Sequence, residues 1–127
     1  MTNNAETLAL AERFVGAIAR GDVETIMACY APDARIWHNF DEIEQTLDQN
    51  LATLGWLSKR LANRHYEIVA RHAFDGGFVQ QHILTGMLQN GEQFRMPACI
   101  ICRVKDGRIV RLDEYLDLAA TATLRAA

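Results

Sequence analysis

Tyr30-Ala31-Pro32-Asp33-Ala34-Arg35-Ile36-Trp37-His38-Asn39-Phe40 is the stretch in which a helical pattern gives way to a strand. Upstream of it, apolar residues recur at helical spacing. Pro32 cannot continue that pattern, because it lacks an N–H and its ring clashes with the preceding turn. Arg35-Ile36-Trp37-His38 then reads as a strand over about 34–38. His38 and Asn39 leave it beside aromatic residues. An imidazole and an amide placed where apolar helices meet a sheet predict the floor of a pocket.

On the N-terminal side, residues 5–20 read as a helix with Leu8, Ala11, Phe14, Val15 and Ile18 on one face. Gly21 ends it, and Asp22 caps a second helix over 22–30 that turns Val23, Ile26, Met27 and Tyr30 to one side. On the C-terminal side, Asp41 is expected to cap a third helix over 42–61. Its apolar face is Ile43, Leu47, Leu51, Leu54, Leu57 and Leu61, with Trp56 off the stripe, a residue for a pocket rim, a partner surface or plain packing. The second half reads as a meander: Tyr66–Phe74, Phe78–Leu88, Phe94–Val104 and Arg108–Leu116. Asp75-Gly76-Gly77, Asn90-Gly91 and Asp106-Gly107 separate the runs. Asn-Gly and Asp-Gly are hairpin signals because both central residues of the tightest turns need positive φ. Pro97 lacks a ladder donor and implies a bulge or an edge. The Ala-rich tail after Asp117 carries no pattern.

Three helices followed by a meander imply an α+β fold: one domain over 1–127, a cone-shaped barrel with three N-terminal helices packed on a strongly curved antiparallel sheet. The 127 residues suit a single core, which at this size buries roughly two thirds of the unfolded chain's surface. Half the residues are hydrophobic and the net charge is −3 with both signs interspersed, so nothing points to nucleic acid. No apolar run approaches the ~20 residues of a membrane span. The start has no basic region before an apolar run, which argues against a signal peptide. Cys29, Cys99 and Cys102 are odd in number and scattered, so a reducing cytoplasm is the expected location. Cys99-Ile100-Ile101-Cys102 has redox or zinc spacing, but on a strand residues three apart point to opposite faces, and the second pair of a zinc site is missing.

The chain resembles the nuclear transport factor 2 superfamily, which includes ketosteroid isomerases, limonene epoxide hydrolases and SnoaL-like polyketide cyclases. The resemblance spans nearly all of it and rests on Arg13-Phe14-Val15, Gly21-Asp22, Tyr30-Ala31-Pro32-Asp33-Ala34 and the run from Gly107 to Asp117. It implies a conical cavity for a small apolar organic molecule and a homodimer through the outer sheet face. The isomerases' tyrosine, aspartic acid and base fall on Phe14, Cys99 and His38. Phenyl donates no hydrogen bond and a thiol only a weak one. Losing one oxyanion donor typically costs ~10²–10³ in rate, which argues against steroid isomerisation in that form. The hydrolases' Asp–Arg–Asp set falls on His82, Gln80 and Glu114, and their tyrosine and asparagine on Trp37 and Asn39. The layout is similar and the chemistry is not.

His38, His82 and Glu114 are therefore the candidate catalytic residues. Strand alternation puts Leu112, Glu114 and Leu116 on one face, and Gln80, His82 and Leu84 on one face of another strand; Cys99 and Ile101 are read as sharing that face between them. Phe14, Trp37, Asn39, Gln80, Cys99, Ile101 and Leu112 are then the expected substrate-binding wall. A carboxylate accepting from one imidazole nitrogen fixes the tautomer and frees the other nitrogen to take a proton. His82 or His38 is the expected base, with Glu114 orienting it or serving as the acid. His65 and His72 read as ordinary surface or strand residues. The spacing requires no metal, and no cofactor is expected. The expected function is cofactor-free acid–base chemistry: isomerisation, cyclisation or water addition. The alternatives are a non-catalytic binding module for an apolar ligand, or a protein-interaction module with a filled cavity.

Overall fold

Residues 3–126 are described by a computed structural model of the chain. Helix α1 (Asn4–Arg20) begins at Asn3, whose side chain accepts from the Glu6 amide, and ends at Gly21 in the left-handed region at φ 70°. It buries Thr7, Leu10, Ala11, Phe14, Val15 and Ala17, which leaves Leu8 off the stripe and 37% exposed. Helix α2 (Val23–Cys29) is capped by Asp22, as its sequence implies. It packs through Ile26 and Cys29, so Val23 and Met27 face outward.

Strand β1 (Tyr30–His38) starts earlier than 34–38. Its ladder with the last strand shifts register between Tyr30 and Arg35, and that irregular stretch accommodates Pro32. The third helix departs further from expectation. The chain turns through Glu42 at φ 56°, and strand β2 (Glu44–Thr46) pairs antiparallel with β1. Helix α3 (Leu47–Arg60) follows. Its start is set by Thr46 and Gln49, a reciprocal capping box that satisfies two orphan N–H groups. Asp41 caps nothing but a local turn, accepting from the Ile43 amide at 3.0 Å, and Ile43 is exposed.

Strands β3 (Leu61–Phe74), β4 (Gly77–Leu88), β5 (Gln93–Lys105) and β6 (Arg108–Leu116) form the meander. The sheet order is β2-β1-β6-β5-β4-β3, with β1 parallel to β6 and every other pair antiparallel, so the sheet is mixed rather than purely antiparallel. Asp106 and Gly107 both have positive φ and join Lys105 to Arg108 in a two-residue turn. The Asn90-Gly91 connection is looser: only Gly91 is left-handed, and the Leu88 amide reaches the Glu92 carbonyl at 2.9 Å. Pro97 sits in a continuous β4–β5 register, opposite Ile83. Its carbonyl faces β6, where it accepts from Asp117 just past the strand's end, so its missing N–H breaks no ladder bond.

The tail that carries no pattern forms a fourth helix, α4 (Leu118–Ala126), which buries Thr121 and Leu124. One bulge matters for the site. Arg103 pairs with Arg111 but Val104 with Ile109, so Val110 is an extra residue in β6. It flips the alternation and lets both Ile109 and Leu112 face the core. The core lies on the concave side, where Phe14 meets Tyr30 edge-on at 5.1 Å. A second cluster, Leu61, Leu84, Leu88, Phe94 and Met96, is closed by Leu124 of α4.

Candidate functional site

The parallel pairing of β1 and β6 brings His38 directly opposite Glu114, both on the concave face. His38 Nε2 lies 3.1 Å from Glu114 Oε1. An ionised carboxylate only accepts, so His38 donates its Nε2–H to it. The His38 Nδ1 is the one sealed side-chain nitrogen or oxygen without a partner among the described residues. Glu114 is the more open of the two, with 18% of its side chain exposed against 8% for His38. Asn39 locks the pair in place: its amide donates to the Glu114 carbonyl at 3.0 Å, and its side chain bridges both backbone groups of Leu116.

His82 sits on β4, two strands from Glu114, with Ala98 and Ile100 of β5 between. A directed relay fixes its protonation. Arg71 Nε donates to Gln80 Oε1 at 2.8 Å, so the amide oxygen must face the guanidinium, which has no acceptor. Gln80 Nε2 then faces His82 Nδ1 at 2.8 Å and donates to it. His82 is left with its proton on Nε2. Burial holds its pKa below the ordinary value; the Glu114 charge opposes that shift and the Arg71 charge adds to it. His82 is thus a neutral imidazole and an N–H donor.

Between the helices and the concave sheet lies a cavity of about 340 Å³. Small-molecule sites run ~300–1,000 Å³, so this one suits a compact ligand. Phe14, Ile36, Leu54, Leu84, Ile100 and Leu112 make apolar walls, and Trp56 and Arg125 stand at the margin. His38, His82 and Glu114 all line it, together with Tyr30 and Tyr66. Tyr66 meets the His82 ring edge-on at 5.2 Å. Burial pushes both phenols well up, so each stays an O–H donor at neutral pH.

The structure gathers the three candidate catalytic residues at one void, and of the two imidazoles expected to meet Glu114 it pairs one. Glu114 holds His38, and His82 is held by Gln80. Phe14 and Leu112 line the cavity; Gln80 is fully buried behind His82 and does not. Trp37, Cys99 and Ile101 are not on this wall. Glu114 pairs with Ile100, while Cys99 pairs with Tyr115 and Ile101 with Asp113, so the β5 register differs by one residue from the expected one and both side chains face outward. Trp37 packs on Tyr115 at 5.2 Å on that outer face. Asn39 is occupied by the β6 clamp instead of facing the cavity.

Sequence reasoning missed Tyr30, Tyr66 and Asn50. Asn50 had a legible signal: it lies on the same helical face as Leu47, Leu51 and Leu54, a polar residue within an apolar stripe. His65 and His72 are exposed, and Cys29, Cys99 and Cys102 are free thiols. Among the described residues no three His, Cys, Asp or Glu side chains cluster as a metal site, and no helix is long and apolar enough to cross a membrane.

Residues 11–112 match the SnoaL-like domain, and the chain belongs to that family. Its fold is that of AclR, a proposed hydroxylase of Streptomyces galilaeus: TM-score 0.86 at 17% identity, covering 98% of this chain and 88% of that one. IdmH, a proposed polyketide cyclase of Streptomyces antibioticus, aligns at TM-score 0.83 and 17% identity over 95% and 99% of the two chains. An LEH-like epoxide hydrolase of M. tuberculosis aligns at 0.77 and 17% over 95% and 90%. At these identities the likeness establishes the fold alone. No curated protein matches the chain in sequence. The SnoaL-like family assignment and these structures together establish the nuclear transport factor 2-like architecture.

Proposed function

We propose that the protein is an enzyme that removes a proton from carbon next to a carbonyl in a small, largely apolar molecule. Glu114 is the base, His38 orients it, and His82 polarises the carbonyl. The reading rests on one observation: a carboxylate and a neutral imidazole N–H open onto the same apolar cavity from strands two apart. Two strand spacings put those backbones roughly 10 Å apart, room for a carbonyl and its α-carbon between the side chains.

In this scheme Glu114 Oε2 takes the α-proton. The C–H electron pair becomes the enolate double bond, and the carbonyl π pair moves onto oxygen. His82 Nε2–H stabilises that oxygen, and Tyr30 or Tyr66 supplies a second donor. A neutral imidazole can fill this role, polarising a carbonyl through its N–H. Returning the proton to another carbon is isomerisation; attack of the enolate carbon on an electrophile within the molecule is cyclisation. The IdmH resemblance is compatible with the second. The steps draw on side chains alone.

The test is α-proton exchange. Small aryl and alicyclic ketones are incubated in D₂O with enzyme and followed by NMR. Exchange above background is expected for ketones that bind, with a loss of about 10²–10⁴-fold in Glu114→Gln, the range of general-base contributions. Ketones that bind without catalysed exchange would leave a binding module as the function. We also propose a homodimer through the outer sheet face, supported by Tyr115, which is exposed there and packs on the half-buried Trp37.

A further inference from the structure

The cavity has a second polar group, unconnected to the acid–base residues. Asn50 projects from α3, is 3% exposed and lines the cavity. Its orientation is imposed from behind. Thr53 Oγ1 donates to the Gln49 carbonyl and accepts from Gln45 Nε2 at 3.1 Å. Gln45 Oε1 is thereby turned to Asn50 and accepts from Asn50 Nδ2 at 3.3 Å. Asn50 Oδ1 must point the other way. It has no hydrogen-bond partner among the described residues, and it is not among the sealed unpartnered atoms, which comprise His38 Nδ1 alone. An oxygen on a side chain this buried, lining a void and not sealed, opens onto the void. Gln45 itself is placed by β2, opposite Ile36 of the cavity wall.

Asparagine is a poor helix former and a costly residue to bury, and its cost is offset only when its polar atoms are paired. Here half the amide is paired by protein and the acceptor half is left for a ligand. We propose that Asn50 is a specificity-determining residue whose carbonyl oxygen accepts a hydrogen bond from a hydroxyl or N–H of the bound molecule. Together with the His82 Nε2–H donor, it defines the ligand class. That class is a compact apolar skeleton with a carbonyl at one position and a hydroxyl or amine at another. The carbonyl half of this statement rests on the proposed function; the Asn50 half does not.

The test separates the two by reading binding in the Glu114→Gln background, where exchange is removed. The probes are 1-tetralone and its 5-, 6- and 7-hydroxy isomers, with calorimetry as the readout. At least one hydroxy isomer is expected to bind about 10-fold or more tightly than the parent, because leaving a buried acceptor unpaired is penalised. Asn50→Leu is expected to reduce that preference to within about 3-fold while the parent binds at least as well. Gln45→Met, which leaves Asn50 in place but releases its amide, is expected to weaken the preference and serves if Asn50→Leu does not fold. The inference is overturned if no hydroxy isomer gains over 1-tetralone, including no measurable binding, or if the preference survives in the folded variants.

Discussion

Gln80→Glu tests the relay that assigns His82 its role. The substitution keeps the shape of the side chain and replaces the amide by a carboxylate. One oxygen continues to accept from Arg71. The other meets His82 Nδ1 at about the present 2.8 Å, where it can only accept, so Nδ1 must acquire a proton. Opposite unit charges at that spacing interact by 332/(20 × 2.8), about 6 kcal/mol at an effective dielectric of 20. At 1.36 kcal/mol per unit this bounds the pKa rise at about 4 units. Arg71 absorbs part of the new charge and burial opposes ionisation, so the expected rise is about 1–3 units. The assay is long-range ¹H–¹⁵N correlation of the imidazoles against pH. In the natural protein at pH 7, His82 should show protonated Nε2 and bare Nδ1, and should titrate below the ordinary histidine value. In the variant Nδ1 should be protonated and the titration should lie above it. Stability follows the same sign. The depressed His82 contributes stability that is complete above about pH 6.5 and is lost as pH falls through the folded value. In Gln80→Glu its contribution is present below about pH 6.5 and is lost as pH rises through the new, higher value. A natural protein whose His82 carries its proton on Nδ1 at pH 7 would refute the reasoning, and the electrophile assigned to His82 would go with it.

Three further outcomes are expected. Gly77→Ala should not yield folded protein, because its Cβ would lie 2.0 Å from the Cys102 carbonyl oxygen, a backbone atom that cannot move aside; circular dichroism and soluble yield read this directly. Asn39→Ala removes two side-chain bonds to Leu116. At about 0.5–1.5 kcal/mol each this costs roughly 1–3 kcal/mol, read as a fall in denaturation midpoint with unchanged slope. Tyr115→Arg puts a charge on the outer face, away from the cavity; sedimentation should show the shift from dimer to monomer that our proposed interface requires, with ligand binding retained.

Local rules settled much of this molecule at the level of sequence. Gly21, Asp22 and Asp106-Gly107 each do what their backbone and side-chain chemistry demands without reference to distant residues, and α1, α2 and the four long strands follow. The family resemblance, with strand alternation to group them, put His38, His82 and Glu114 in the frame as candidate site residues. Where a local signal competed with another, sequence reading failed. Asp41 and Thr46 are both plausible caps, and the Thr46–Gln49 reciprocal pair prevailed because it satisfies two amides at once while β1 offered an edge for residues 44–46. Strand register is different in kind. A shift of one residue on β5 exchanges Ile100 for Cys99 and Ile101, and only the pairing with β6 selects between them. The partners of the ionisable groups were likewise beyond the sequence. Glu114 pairs with His38 because β1 runs parallel to β6, an association across 76 positions of chain that no local pattern records. Local pattern was enough to name residues able to do chemistry and most of the elements that carry them, but not β2 or α4. Tertiary pairing alone decided which nitrogen bears each proton, because that depends on what each side chain meets across the sheet.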